Sequence, residues 1–142
     1  MIVRKILDQK GSNVFSITPD ATLSEAVGRL VAHRVGALLV SQDGHRPDGI
    51  VSERDIVLAV EQHGDKALSL PVRDVMSADV VCCRLDDTLD ALMATMTDRR
   101  LRHLPVLRDG LVVGMVSIGD IVKNRLAEVE HEANMLRDYI TH

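Results

Sequence analysis

The nonapeptide GIVSERDIV (49–57) returns as GMVSIGDIV (114–122), altered at three of nine positions. A chain that carries one core segment twice folds as two like units, so this repeat constrains the architecture more than any other feature. The match extends upstream. At an offset of 66, Thr22-Leu23 falls on Thr88-Leu89, Asp20 on Asp86, Leu38 on Leu104 and Val40 on Val106. At the nonapeptide the offset becomes 65, which leaves one extra residue in the 41–48 loop of the first copy. VRKIL (3–7) likewise matches VRDVM (72–76), and the halves are assigned as 1–71 and 72–142.

Each copy reads as strand, helix, strand, strand, helix. VFSI (14–17) and VVCC (80–83) are short β-branched or apolar runs, ended by TPD and RLDD. Thr22-Leu-Ser-Glu25 reads as a capping box, opening a helix with Leu23, Ala26, Val27, Leu30 and Val31 on one face. Leu89, Leu92, Met93 and Met96 repeat that face. ALLV (37–40) and HLPVL (103–107) are strands followed by Asp-Gly turn signals, and GIVS and GMVS are strands that run into a second helix. A parallel crossover combined with a hairpin implies an α/β or α+β fold with sheets packed on helices. Half of 142 residues is marginal as an independent domain, so the two sheets are expected to pack together.

The last helix outruns the repeat. From Val122 apolar residues recur at Leu126, Val129, Ala133, Leu136 and Ile140, flanked by glutamates and arginines. This heptad stripe fits either a helix packed on its own domain or a self-association helix.

Composition removes several functions. A net charge of −4 and a single Phe and Tyr leave neither the basic surface nor the stacking rings of a nucleic-acid binder, and the RRLRH cluster (99–103) is short. No apolar run reaches membrane-spanning length, and the N-terminal segment lacks a secretory pattern, so a cytoplasmic protein is expected. Cys82 and Cys83 are adjacent, a spacing that suits neither a metal site nor an ordinary disulfide. Pairing either with His103 as nucleophile and base finds no supporting spacing, and no catalytic residue is assigned.

The repeated serine and aspartate remain. Ser52-x-x-Asp55 and Ser117-x-x-Asp120 sit where a strand becomes a helix, and each can act as a capping box. The same geometry suits a ligand. A helix N-terminus beside a hydroxyl receives phosphate, and a carboxylate one turn on accepts from paired ribose hydroxyls. Arg54, beside Asp55, could pair with a phosphate, whereas the second copy has Gly119 there.

The succession VRDVM, a strand, DDTLDALMATM and RHLPVLRDGLVVGMVSIGDIV, present twice in order over residues 1–123, resembles the cystathionine β-synthase (CBS) domain. KGSNVFSITPDATLSEA and GIVSERDIV resemble stand-alone bacterial CBS-pair proteins in particular. The resemblance implies two β-α-β-β-α repeats paired through their sheets about a pseudo-twofold axis. It also implies two clefts for adenosine-containing ligands such as AMP, ADP, ATP, NAD(H) or S-adenosylmethionine, and a homodimer. On this basis Asp55 and Asp120 would hold ribose, and Ser52, Arg54, Ser117, Arg102 and His103 would lie near phosphate. The adenine walls would come from Ser12, Val14, Ser16, Ile17, Ile50, Ser77, Val80, Cys82 and Met115. The expected role is a regulatory sensor without catalysis, acting on an unidentified effector protein or sequestering its ligand. The alternative is a dimerisation or docking scaffold with vestigial clefts.

Overall fold

The computed structural model describes residues 1–141. A short helix α1 (Val3–Lys10) comes first. The first repeat follows as β1 (Ser16–Ile17), α2 (Leu23–His33), β2 (Ala37–Val40), β3 (Gly49–Ser52) and α3 (Glu53–His63). Two 3-10 turns, Gly64–Ser69 and Val72–Asp74, lead into the second: β4 (Cys83–Arg84), α4 (Leu89–Arg99), β5 (His103–Arg108), β6 (Leu111–Ser117) and α5 (Ile118–Thr141). In each sheet the first strand runs parallel to the central one and the third antiparallel: Ser16 pairs with Leu39 and Ala37 with Ser52, while Cys83 pairs with Val106 and His103 with Ser117.

Asp109 and Gly110 close the second hairpin with φ of 53° and 78°. Two left-handed residues define the turn that matches the twist of paired strands, and glycine takes it without a Cβ clash.

The first strands are shorter than VFSI and VVCC suggest. Only Ser16–Ile17 and Cys83–Arg84 pair, and residues 80–82 form irregular chain instead. Thr22 caps α2 by accepting from the Glu25 N–H. The face expected on α2 is also narrower: Leu23, Ala26 and Leu30 are buried, but Val31 is 73% exposed.

Packing crosses the boundary at 71/72. Val3, Ile6 and Leu7 of α1 lie in one core with Cys83, Leu89, Leu92 and Met96 of the second repeat. Ala67 and Val72 of the linker lie in the other core, with Ile17, Leu23 and Leu38 of the first. Each VR segment thus precedes one repeat along the chain but docks on the other, in a matched way. The Val3 N–H donates to the Asp87 carbonyl and the Val72 N–H to the Ala21 carbonyl. Arg4 pairs with Asp86, and Arg73 with Asp20.

This exchange explains the glycine that opens each nonapeptide. A Cβ on Gly114 would lie 2.7 Å from Leu7 of α1, and one on Gly49 would lie 2.5 Å from Met76. All four residues of β2 are buried. Leu38 and Val40 belong to the core beneath the helices. Ala37 and Leu39 face the other side, as alternation along a strand requires, and are buried there as well. Contact between the repeats is direct: the Val112 N–H donates to the His45 carbonyl at 2.7 Å.

Candidate functional site

Both Ser-x-x-Asp segments form capping boxes. In the first, the Ser52 N–H and hydroxyl donate to Asp55 Oδ2 at 2.8 and 3.0 Å, and the Asp55 N–H donates back to Ser52 Oγ at 3.4 Å. In the second, the Ser117 N–H donates to Asp120 Oδ2 at 2.9 Å, and the Asp120 N–H donates to Ser117 Oγ at 3.2 Å. Each box holds its aspartate at a strand-to-helix corner with Oδ2 engaged. Among the described residues, Asp55 Oδ1 accepts no hydrogen bond from the protein.

The surroundings of the two boxes differ. A cleft of about 710 Å³ opens in front of Asp55, between the repeats. From the first repeat it takes Ile50, Ser52, Glu53, Arg54, Asp55 and Leu58. From the second come Ser77, Asp79, Val80, Val81, Arg100, Leu101, Arg102, His103 and Ile118. The basic groups split between Arg54 and Arg102-His103 in the sequence are therefore brought to one cleft.

The chain reaches this arrangement through Arg100, which ends α4 at φ 55° and turns residues 100–103 into the cleft. Gly36 lets His103 in, since a Cβ there would lie 3.1 Å from the imidazole. Burial lowers the His103 pKa; the Glu53 and Asp120 carboxylates oppose that effect, while Lys10 and Arg102 add to it. The imidazole is thereby kept mostly neutral at pH 7, and an anion bound beside it would favour its taking up a proton from solvent.

At the second box Lys10, the last residue of α1, enters instead. Its ammonium donates to Asp120 Oδ2 at 2.6 Å and to the Met115 carbonyl at 2.8 Å. Burial alone would raise the Asp120 pKa, but hydrogen bonds from Lys10 and the Ser117 N–H, with the charge of Lys10, hold it below the usual range. Lys10 escaped sequence reasoning because it lies 110 residues from Asp120. The offset of 69 that aligns Val3-Arg4 with Val72-Arg73 carries Lys10 onto Asp79, which lines the Asp55 cleft, so the two sites carry opposite charge at matching places.

Of the residues expected on the adenine walls, Ile50, Ser77 and Val80 line the Asp55 cleft. The backbones of Ile50 and Ser77 bond each other there at 2.9 and 3.0 Å. Ile17 is instead 2% exposed in the first core, where pairing with Val40 places it. Ser12, Val14, Ser16, Cys82 and Met115 lie outside this cleft, as do Ser117 and Asp120. Sequence reasoning missed Glu53, Leu58, Asp79, Arg100 and Ile118; the RRLRH run was visible, but not its direction. Cys83 is buried, and burial pushes its thiol up to about 12, so it supplies little thiolate near neutrality.

Two exchanged half-domains, with a polar cleft between them at a strand-to-helix corner, define a class of tandem-repeat ligand-binding modules. The family model described as CBS domain matches residues 3–62 and 72–127, and the chain belongs to that family. It is 35% identical to the mitochondrial CBS domain-containing protein CBSX3 of Arabidopsis thaliana, over 87% of this chain and 62% of that protein. The chain thus spans less than two thirds of that relative's length. A CBS-domain protein of Agrobacterium tumefaciens, known by crystal structure, is 42% identical with a TM-score of 0.86, covering 88% of this chain and 99% of that one. A CBS domain protein of Pyrobaculum aerophilum, solved in complex with AMP, is 28% identical with a TM-score of 0.75, covering 84% and 89%.

Proposed function

We propose that this chain is a regulatory sensor that binds one adenosine-containing phosphate ligand in the cleft at Asp55. The observation that carries the reading is convergence: Asp55, Arg54, Arg100, Arg102 and His103 reach one cleft from both repeats. Asp55 Oδ1 would accept from the ribose hydroxyls, the guanidinium groups would hold phosphate, and Ile50, Leu58, Val80 and Ile118 would enclose the base. AMP bound to the Pyrobaculum relative supports the ligand class. ADP, ATP and NAD(H) offer the same adenosine. The Asp120 box would hold no ribose, because its carboxylate is already ion-paired with Lys10 and does not line this cleft.

Ligand bridging the repeats would bias their packing, and an effector acting in trans would respond to that change. No catalytic step is assigned. A homodimer is part of the same reading, supported by exposed Val57, Val60 and Val122 on α3 and α5. The unpaired thiols of Cys82 and Cys83 fit a reducing cytoplasm.

The rival reading, a scaffold with vestigial clefts, is favoured by the closed capping boxes, which account for both Ser-x-x-Asp segments without a ligand. Isothermal titration with AMP, ADP, ATP, NAD⁺, NADH and S-adenosylmethionine separates the two. The sensor binds at least one of them with a stoichiometry of one, and Asp55→Asn weakens that binding by roughly 10- to 100-fold. A scaffold binds none.

A further inference from the structure

Beyond residue 127, where the family match ends, α5 continues to Thr141 with every residue exposed except the half-buried Glu128. The helix therefore does not pack its heptad stripe on its own domain. Leu126 is 59% exposed, Leu136 63% and Ile140 80%. The residues that face the body are Ile121 and Asn124, both buried, and Glu128, which meets the N-terminal ammonium at 3.2 Å. At about 100° per residue, the stripe Val122, Leu126, Val129, Ala133, Leu136, Ile140 is centred roughly a third of a turn from that side. It runs alongside the body without being covered by it.

The charges that flank the stripe specify what covers it. With Leu126, Ala133 and Ile140 at a and Val122, Val129 and Leu136 at d, the e positions are Lys123, Glu130 and Arg137. The g positions within the stripe are Arg125, Glu132 and Tyr139. In a parallel, in-register pair each g residue meets the e residue five places on in its partner. Arg125 then faces Glu130 of the second copy, and Glu132 faces Arg137, two attractive contacts on each side of the seam. In an antiparallel pair that matches the same apolar layers, Leu126 lies opposite Leu136 and Val129 opposite Ala133. That arrangement sets Glu130 on Glu130, Glu132 on Glu132 and Lys123 on Arg137, all of like charge. Leu136 at d with Ile140 at a is also a combination that favours two strands.

We propose that the occupant of this face is a second copy of the chain, joined through residues 122–140 of α5 as a parallel, in-register two-stranded coiled coil. In the monomer Arg125 meets Glu128 at 3.1 Å and Asp90 at 4.0 Å, both as exposed ion pairs that cost little to exchange. Fewer than three heptads would associate weakly alone, but tethering to a paired body raises their effective concentration. The inference does not depend on any ligand.

Disulfide trapping in the full-length protein tests it, with the unsubstituted chain as the blank for Cys82 and Cys83. Ala133→Cys places thiols across the seam at an a position, and His131→Cys places them on the outer face. The expected result under mild oxidation is a covalent dimer from Ala133→Cys and none above the blank from His131→Cys. Adding Arg125→Glu should reduce the trapped fraction severalfold, and further adding Glu130→Arg should restore it. No cross-link from Ala133→Cys would overturn the proposal, as would equal cross-linking of both variants. A cross-link that forms only between mixed Val129→Cys and Ala133→Cys chains would show an antiparallel pair and overturn it too. Indifference to the charge reversal would overturn the assigned register.

Discussion

Asp55 and Asp120 occupy the same place in two copies of one motif, close the same capping box, and face different environments. Asp55 looks across an open cleft at arginines from the other repeat. Asp120 has a lysine ammonium on it at 2.6 Å. The helix-capping role is therefore common to both copies, and whatever is specific to one depends on what the rest of the chain brings to the box. An internal duplication supplies two frames. The exchanged segments, with Lys10 at the end of one and Asp79 just beyond the other, make them unequal.

The hardest test of that inequality is ligand affinity. Asp55→Asn keeps a side chain that can cap α3 but removes the charge on its acceptors. Hydrogen bonds to a charged group contribute about 1.5–3 kcal/mol, so Kd should rise by roughly 10- to 100-fold. Asp120→Asn should leave Kd within about twofold, because Asp120 is already held by Lys10. Titration of both variants with the same nucleotide breaks the comparison if the two losses are equal.

Next in size is the cost of disturbing the exchange. Gly114→Ala drives a methyl to 2.7 and 2.8 Å from the two ends of Leu7, a branched side chain only 6% exposed. Overpacking of this kind costs about 1–3 kcal/mol, read as a lower urea midpoint. Gly49→Ala should cost less. Its nearest contact is the thioether of Met76, which can swing aside, leaving the Ser77 carbonyl at 3.0 Å to ease. Equal losses would mean that the two docked segments are equally rigid.

Most of the frame was legible in the sequence for a local reason: alternation, capping residues and Asp-Gly turns act within a few positions. ALLV is β2 residue for residue, and both Ser-x-x-Asp boxes form as their spacing implies. Convergence of Arg54, Arg102 and His103 could be framed as a question but not answered, since it depends on how one repeat sits against the other. Less legible still was the exchange of the VR segments. VRKIL and VRDVM have the same pattern, and nothing in either says which core it fills. The first strands were overread because VFSI and VVCC have strand composition, although only the last two residues of the one and the last residue of the other join a strand. Lys10 carried no signal at all. It became part of a site only when α1 was placed against β6.

The smallest effects concern protons, and they also separate the two sites. Asp120 has a lowered pKa in the folded chain, so its ion pair contributes stability above the ordinary carboxyl value of 3.8 and loses it as pH falls through the folded value. Lys10→Met should therefore destabilise the protein at pH 7 by about 1 kcal/mol or less, given a lysine 36% exposed, and the difference should close in thermal melts below about pH 4. His103 works on another range. Its pKa is lowered mainly by burial, so the unfolded chain takes up a proton before the folded one does. Stability is complete above the ordinary value of 6.5 and declines as pH falls through it toward the folded value. His103→Gln should remove this loss of stability between pH 7 and 5. A phosphate ligand in the Asp55 cleft should shrink the same loss in the unsubstituted protein, because an anion there favours the protonated imidazole and raises the folded pKa. Melts at pH 5 and 7, with and without nucleotide, would thus report from His103 which cleft the anion entered. An unchanged difference would place it away from this side chain.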